Sequence, residues 1–344
     1  MARIAIAGAG LAGRLFAWAL VRAGHEVEVF DPSPGPAPEG VPRAAGFSAA
    51  GLLSPLAEQD SGADADMVAA GWRSLQLWPR ICAALPLPVR MRREGSLLLA
   101  HREDLGAAQR MLQHVASARP LDEATLRELE PALVPGLRAW RLEGEGFIDA
   151  PAAMTALHQG AAAARWQWGQ AVSEIGPGRL RLADGRRIEA DWAIDCRGLG
   201  ARPALPLRGV RGEILTLELS GHGLRRPLRL LHPRHRLYLV PRSESTLILG
   251  ASEIESEDLS PVSLRSAVEL MAAAHSVMPT LAEARIHRME VNLRPALPDH
   301  RPALNSAPGQ LNINGLYRHG FLLGPALVQE LLVRSGLGTL EEER

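Results

Sequence analysis

The stretch Arg3-Ile4-Ala5-Ile6-Ala7-Gly8-Ala9-Gly10-Leu11-Ala12-Gly13, followed by Glu26-Val27-Glu28-Val29-Phe30-Asp31, decides the fold of this chain. Arg3 to Ala7 is a short apolar run, Leu11 to Ala23 reads as a helix closed by Gly24, and Glu26 to Phe30 alternates as a second strand. Strand, glycine turn, helix and strand in that order predict a βαβ unit. Asp31 stands about 20 residues beyond the turn, where a dinucleotide-binding unit carries its acid. Gly8 permits the tight turn, Gly10 keeps a Cβ away from a pyrophosphate, and Gly13 lets helix and strand pack closely. The helix N-terminus offers phosphates free N–H groups and a partial positive charge, and Asp31 offers a ribose hydrogen-bond acceptors.

The rest of the composition narrows the class. With 344 residues, 47% of them apolar, the chain can bury one large or two medium cores. Acidic and basic residues balance at 38 each, so bulk charge points to neither nucleic acid nor an anionic membrane. Cys82 and Cys196 have no paired spacing, which argues against a disulfide framework or zinc and fits a reducing compartment. The closest histidine pair, His232 and His235, lacks acidic or cysteine company, so no metal is expected. Gly8, Gly10, Gly13 and Arg14 interrupt the apolar stretch Ile4 to Val21, which reads as fold and not as a secretion signal. No apolar run reaches the roughly 20 residues that span a bilayer. The expectation is a soluble, cytoplasmic protein of open oligomeric state, a homo-oligomer included.

The fingerprint does not separate NAD from FAD, but a second element favours FAD. Asp184-Gly185 signals a hairpin turn, and Ile188 to Ile194 reads as a strand running into Asp195-Cys196-Arg197-Gly198-Leu199-Gly200, a strand-to-glycine corner that can return to the cofactor. The alternative is an ordinary strand end. No second full glycine triplet is present to hold a separate nicotinamide nucleotide, so electrons would pass to oxygen or to a protein. Asp31 to Gly46 is a Pro- and Gly-rich loop, and the small residues from Phe47 to Pro55 suit close approach to a flat ring or phosphate, or else a plain buried turn.

Helices are predicted over Asp66 to Trp78, Arg102 to Ala118, Asp122 to Leu129 with Asp122 as N-cap, from Asp149 as N-cap with Pro151 in the first turn to about Ala164, and Val262 to Met278, with a final one from about Pro325. Leu126, Leu129 and Leu133 read as core contacts. Arg211 to Leu217, Leu237 to Val240 and Thr246 to Gly250 read as strands of an inserted antiparallel domain.

Three residues stand out for chemistry. Arg294 precedes Pro295, which holds its backbone extended, and a guanidinium in a cleft grips a carboxylate at two points. The competing reading is a surface ion pair with Asp299. Tyr238 is a candidate hydrogen-bond donor to the same carboxylate, or a strand tyrosine in core packing. Arg318 lies between Gly315 and Gly320 ahead of the last helix, where backbone N–H groups can stabilise negative charge on a flavin ring.

Four separated motifs in order carry a resemblance: the N-terminal fingerprint; Ser48 to Pro55 with Glu58; Tyr238-Leu239-Val240-Pro241-Arg242 with Gly250-Ala251-Ser252-Glu253; and Leu293-Arg294-Pro295 with Pro298-Asp299 and Tyr317 to Pro325. The chain resembles the D-amino-acid oxidase and glycine oxidase family, most closely its glycine oxidases of thiamine biosynthesis. The resemblance implies an α/β two-domain architecture: a Rossmann-like FAD-binding domain (1–75, 145–206, 290–344) with an inserted antiparallel-sheet substrate domain (76–144, 207–289). It implies that FAD is held by Gly8, Gly10, Leu11, Ala12, Gly13 and Asp31; by Ser48, Ala49, Ala50, Gly51 and Leu53; by Val172, Cys196 and Gly198; and by Arg318, His319, Gly320, Phe321 and Leu322. Arg294 would hold an amino-acid carboxylate, with Tyr238 assisting and Arg318 nearby. The implied activity is hydride transfer from a small amino acid such as glycine to flavin N5, with oxygen as acceptor, hydrogen peroxide as product and the imine serving thiazole synthesis. A related oxidase or dehydrogenase of sarcosine, a D-amino acid or another secondary amine stays open, as does a non-catalytic FAD-binding protein. The chain departs from the family pattern at Asn292, where glycine is frequent, and at Leu316-Tyr317-Arg318-His319, where His-Tyr/Phe-Arg-Asn is usual.

Overall fold

A computed structural model describes residues 1–40, 43–61, 63–115, 117–232 and 236–341. The opening segment folds as its spacing predicts, into β1 (Arg3–Ala7), α1 (Leu11–Arg22) and β2 (Glu26–Asp31), with β1 and β2 parallel. There follow β3 (Leu52–Leu53), α2 (Ala65–Ala84), β4 (Met91–Arg92) and β5 (Ser96–Ala100). Next come α3 (Leu105–Leu112), β6 (Arg119–Leu121), α4 (Glu123–Leu129), β7 (Arg138–Leu142), β8 (Gly146–Ile148) and α5 (Ala150–Gly160). The middle of the chain supplies β9 (Arg165–Trp168), β10 (Val172–Gly176), β11 (Arg179–Leu182), β12 (Arg187–Glu189) and β13 (Trp192–Asp195). Then come β14 (Arg208–Glu218), β15 (Leu228–Leu231), β16 (Arg236–Pro241), β17 (Thr246–Gly250) and α6 (Leu264–Val277). The chain closes with β18 (Arg285–Ala296), β19 (Ala303–Ala307), β20 (Gln310–Asn314) and α7 (Gly320–Ser335).

One sheet has the order β19-β20-β13-β1-β2-β9 and is parallel except for its β19–β20 edge. Ile4 to Ala7 of β1 are buried, the pattern of a strand covered on both faces. Successive strands wind to opposite sides of β1, so a crevice opens outside the C-terminal ends of β1 and β13. Leu15 and Phe16 of α1 share one core with Leu157 of α5, Trp78 of α2 and Leu331 of α7.

The larger sheet runs β18-β14-β17-β16-β15-β5-β7-β6, antiparallel apart from the parallel pair β15–β5. Its strands alternate strictly. Leu215, Leu217, Leu237, Leu239, Leu247 and Leu249 pack with Leu270 and Val277 of α6, which turns Ile214, Tyr238, Val240 and Ile248 to the opposite face.

Several predicted boundaries shift for physical reasons. α2 runs past Trp78 to Ala84 with Pro79 inside it, and the Leu75 carbonyl that Pro79 leaves without its N–H partner accepts a hydrogen bond from Arg93 Nη1 at 3.1 Å. α7 begins at Gly320 and not near Pro325: here the orphaned carbonyl is that of Phe321, and Trp78 Nε1 of α2 donates to it at 2.8 Å. The helix predicted over Arg102 to Ala118 breaks up, because after α3 His114 and Val115 donate to carbonyls three residues back and the tighter turn buries Val115. The strand predicted over Ile188 to Ile194 is two strands in different sheets, β12 and β13, with the Asp191 carboxylate between them accepting the Arg3 N–H at 2.7 Å. Asp122 and Asp149 cap α4 and α5 as predicted, and α5 ends at Gly160, where a Cβ would press on Trp18. Leu126 is buried, while Leu133 is half-buried against the same core. Divisions at 75/76 and 289/290 each pass through a continuous element, α2 and β18 respectively.

Among the described residues no helix is long and apolar enough to cross a membrane, and no cluster of three or more His, Cys, Asp or Glu could hold a metal. His235 lies outside the described residues.

Candidate active site and cofactor crevice

A cavity of about 680 Å³ extends from the fingerprint turn to the inner face of the large sheet. At its first end Gly8 has φ +100°, and a Cβ there would run into the Cys196 carbonyl, so only glycine lets β1 and β13 end side by side. Gly13 lies beneath the cavity: its Cβ would strike the Gly8 carbonyl, which makes it a packing residue. A Cβ on Gly10 would point into open space, with Ala44 Cβ at 3.8 Å its nearest neighbour. No side chain caps α1 at Gly10, so its first N–H groups stay available. The Asp31 carboxylate accepts the Ala9 N–H at 2.6 Å and the Ser33 N–H at 2.8 Å, and each oxygen keeps a lone pair for a hydroxyl.

Ser48, Ala49, Ala50 and Gly51, then Val172, Cys196 and Gly198, line the middle of the cavity. Arg197 pairs with Asp195 at 2.8 Å and donates to the Val172 carbonyl at 3.0 Å, and Asn314 accepts the Gly198 N–H at 2.8 Å; these contacts fix the glycine corner. Leu53 is an exception: it is wholly buried in the core beside α1, and Leu52 lines the cavity in its place, because adjacent strand residues face opposite ways. The uncapped N-terminus of α7 meets the cavity at Gly320, Phe321 and Leu322. Two uncapped helix N-termini, an acid at the end of β2 and a small-residue wall between them fit an elongated, anionic dinucleotide.

Beyond that point the cavity meets the large sheet. The β14–β18 register pairs Val210 with Arg294, Gly212 with Asn292 and Ile214 with Glu290, so Arg294 shares the cavity face with Ile214. Arg294 Nη1 donates to the Ser252 carbonyl at 3.0 Å and, more weakly, to that of Arg211 at 3.4 Å. Among the described residues no carboxylate pairs with it, and Asp299 accepts the backbone N–H of Arg301 instead. Two strand glycines make room here: a Cβ on Gly212 would lie 2.5 Å from the Arg294 guanidinium carbon, and one on Gly250 would lie 2.6 Å from the Tyr238 hydroxyl. Burial raises the Tyr238 phenol's pKa, against the pull of Arg294, Arg229 and Arg242, which keeps it a neutral donor.

Glu58 gathers the remaining charge. Its carboxylate meets Arg229 at 2.6 Å, Arg318 at 3.0 Å and His319 Nε2 at 3.0 Å, and Arg318 also pairs with Glu253 at 2.9 Å. Burial alone would raise the Glu58 carboxyl, but the Arg229 and Arg318 guanidiniums and the His319 hydrogen bond hold it well below the usual range. Arg318 therefore stands at the cavity with its charge already balanced. Asn292 ties the wall together, donating to Ser48 Oγ at 3.0 Å and to the Arg43 carbonyl at 3.2 Å. Neither Arg229 nor the wholly buried Glu145, which accepts the N–H groups of Leu56 (2.7 Å) and Ala57 (3.0 Å) and bonds Ser96, carries a local motif; only the register of β15 and the β7–β8 turn brings them here.

The profile of the FAD dependent oxidoreductases matches residues 3–332. The chain belongs to that family. FAD is accordingly its cofactor, and the crevice fits a dinucleotide of that kind. This FAD-dependent oxidoreductase is 37% identical over 334 residues to a Rhizobium etli protein whose name, thiamine biosynthesis oxidoreductase ThiO, is itself provisional; the match covers 96% of each chain. It is 26% identical over 343 residues to the glycine oxidase of Bacillus licheniformis, covering 93% of this chain and 89% of that one. The crystal structure of glycine oxidase from Geobacillus kaustophilus superposes with a TM-score of 0.82 at 22% identity over 100% of both chains, which shows a shared fold.

Proposed function

We propose that this FAD-dependent oxidoreductase removes hydrogen from the amine-bearing carbon of glycine or a similarly small amino acid, that the amine becomes an imine, and that oxygen accepts the electrons as hydrogen peroxide. The observation that carries the reading is Arg294, a guanidinium on the cavity face near Tyr238 that pairs with no carboxylate among the described residues. The other cations at this end are matched: Arg229 and Arg318 by Glu58 and Glu253, and Arg43 by Glu290. One unmatched guanidinium suits one carboxylate; a second acid group would face Glu58 or Glu253 and be repelled.

When bound, FAD supplies the two-electron acceptor for the α-hydrogen and its bonding pair. The chain's part is placement. Arg294 takes the substrate carboxylate through its fork, the Tyr238 phenol donates to the same group, and Ile214, which lines the cavity and is backed by the buried Val240 and Ile248, gives an apolar surface that excludes water. Glu58 is not a base, since its oxygens are engaged by the Arg229 and Arg318 guanidiniums and by His319 Nε2. The substrate amine must therefore enter neutral. The thiamine name of the Rhizobium relative and the glycine oxidase of Bacillus licheniformis support supply of the glycine imine to thiazole synthesis.

The test is a peroxide-coupled assay across glycine, sarcosine and D-alanine, with dye reduction measured beside oxygen uptake. Peroxide with glycine is expected. Flavin that none of these compounds bleaches under anaerobic conditions would defeat the proposal.

A further inference from the structure

Arg14 follows the last fingerprint glycine and is 1% exposed. Its guanidinium donates through Nε to the Ala9 carbonyl at 2.8 Å, through Nη1 to that of Met154 at 2.9 Å and through Nη2 to that of Pro36 at 2.6 Å. It also lies 5.2, 5.8 and 5.9 Å from the ring centroids of Phe47, Trp166 and Trp168, within cation–π range. Among the described residues no carboxylate forms an ion pair with it. Burial lowers its pKa to about 10, with Asp31 opposing, so it remains a cation at neutral pH. His158, edge-on to Trp166 at 4.5 Å, is held down to about 4 by burial and by Arg14, and therefore adds no second charge.

The carbonyls satisfy the donors of Arg14 but do not neutralise it, and Asp31 acts on it only at a distance, so a buried cation is left partly uncompensated, which is costly. Ala9, whose carbonyl holds Nε, sits between Gly8 and Gly10, and both of those line the crevice. The charge thus stands one layer behind the turn that faces the phosphates. Pro36 lies on the loop whose Pro32, Ser33 and Pro34 line the adenosine end.

We propose that Arg14 is a positioning residue for FAD, supplying a fixed positive charge that the pyrophosphate neutralises, while its three carbonyl contacts clamp the fingerprint, the 32–36 loop and α5 around the adenosine half. The inference rests on FAD binding alone, so it stands or falls separately from the amine-oxidation reading.

The experiment dilutes purified holoprotein into FAD-free buffer and follows flavin release by the recovery of its fluorescence. Wild type, Arg14→Met and Arg14→Lys are compared, each also melted with and without added FAD. For Arg14→Met, release on the order of tenfold faster is expected, the effect of one partly screened charge, with a smaller FAD-induced rise in melting temperature. Arg14→Lys, which keeps the charge without the fork, should recover most of both. Release from Arg14→Met within twofold of wild type would overturn the proposal. So would equal loss in Met and Lys, the mark of a packing role alone. Should Arg14→Met fail to fold or purify without flavin, Arg14→Lys decides: flavin retained with a near-wild-type release rate supports the charge, and flavin lost overturns it.

Discussion

Gly212→Ala is the substitution that most directly interrogates the carboxylate grip. The new Cβ would lie 2.5 Å from both the Arg294 guanidinium carbon and its Nη2, whereas non-bonded carbon atoms settle at about 3.5–4.0 Å. Gly212 has no left-handed backbone to strain, so alanine fits the strand and the guanidinium must retreat by about 1 Å. A displacement of that size at a positioning group costs on the order of 100-fold in rate. The overpacking itself should cost only about 1–3 kcal/mol of stability. Rapid anaerobic mixing of holoprotein with glycine, monitored by flavin absorbance, separates substrate affinity from the rate of reduction. Both should worsen, while flavin content and the thermal melt change little. If Gly212→Ala reduces its flavin at the wild-type rate across the glycine range, Arg294 is not the group that orients the substrate.

Three further substitutions probe the scaffold. Burial raises the pKa of Glu145 to about 7, so between the unfolded carboxyl's pKa of about 4.3 and about 7 the folded state binds more protons, and stability falls as pH rises through that window by roughly 4 kcal/mol. Glu145→Gln mimics the protonated acid and should abolish the fall; urea unfolding at about pH 5 and about pH 8 checks it, and an unchanged slope refutes the assignment. Trp78→Phe keeps the stack on Phe321 but removes the donor to its carbonyl, and should cost about 1–3 kcal/mol. Adding Pro325→Ala returns a backbone N–H within the helix, so a double-mutant cycle by thermal melting should show recovery; strict additivity would show that the two positions are not coupled.

The part of the molecule written in adjacent residues was legible in advance. The fingerprint, the acid ending β2, the caps Asp122 and Asp149 and the glycine corner at Gly198 each depend on neighbours a few residues away, where φ angles and hydrogen-bond reach are set locally. Arg294 was legible as a candidate because Pro295 constrains its backbone, but strict side-chain alternation and the pairing of β18 with β14 put it on the cavity face, away from Asp299. Leu53 and the start of α7 were misplaced for the converse reason. Which face of a strand is buried, and whether a proline can sit inside a helix, depends on what lies across the gap, and here a tryptophan from another helix supplies the missing donor.

The sequence by itself determined a dinucleotide-binding βαβ unit, because that signal is a local pattern of period, turn and charge. Only the tertiary structure decided which charges remain uncompensated. Glu58 meets Arg229, Arg318 and His319 across separations of up to 261 residues, and Arg14 gathers carbonyls from three segments. Electrostatic balance is a property of distance in space, and distance along the chain does not encode it until the sheets have closed.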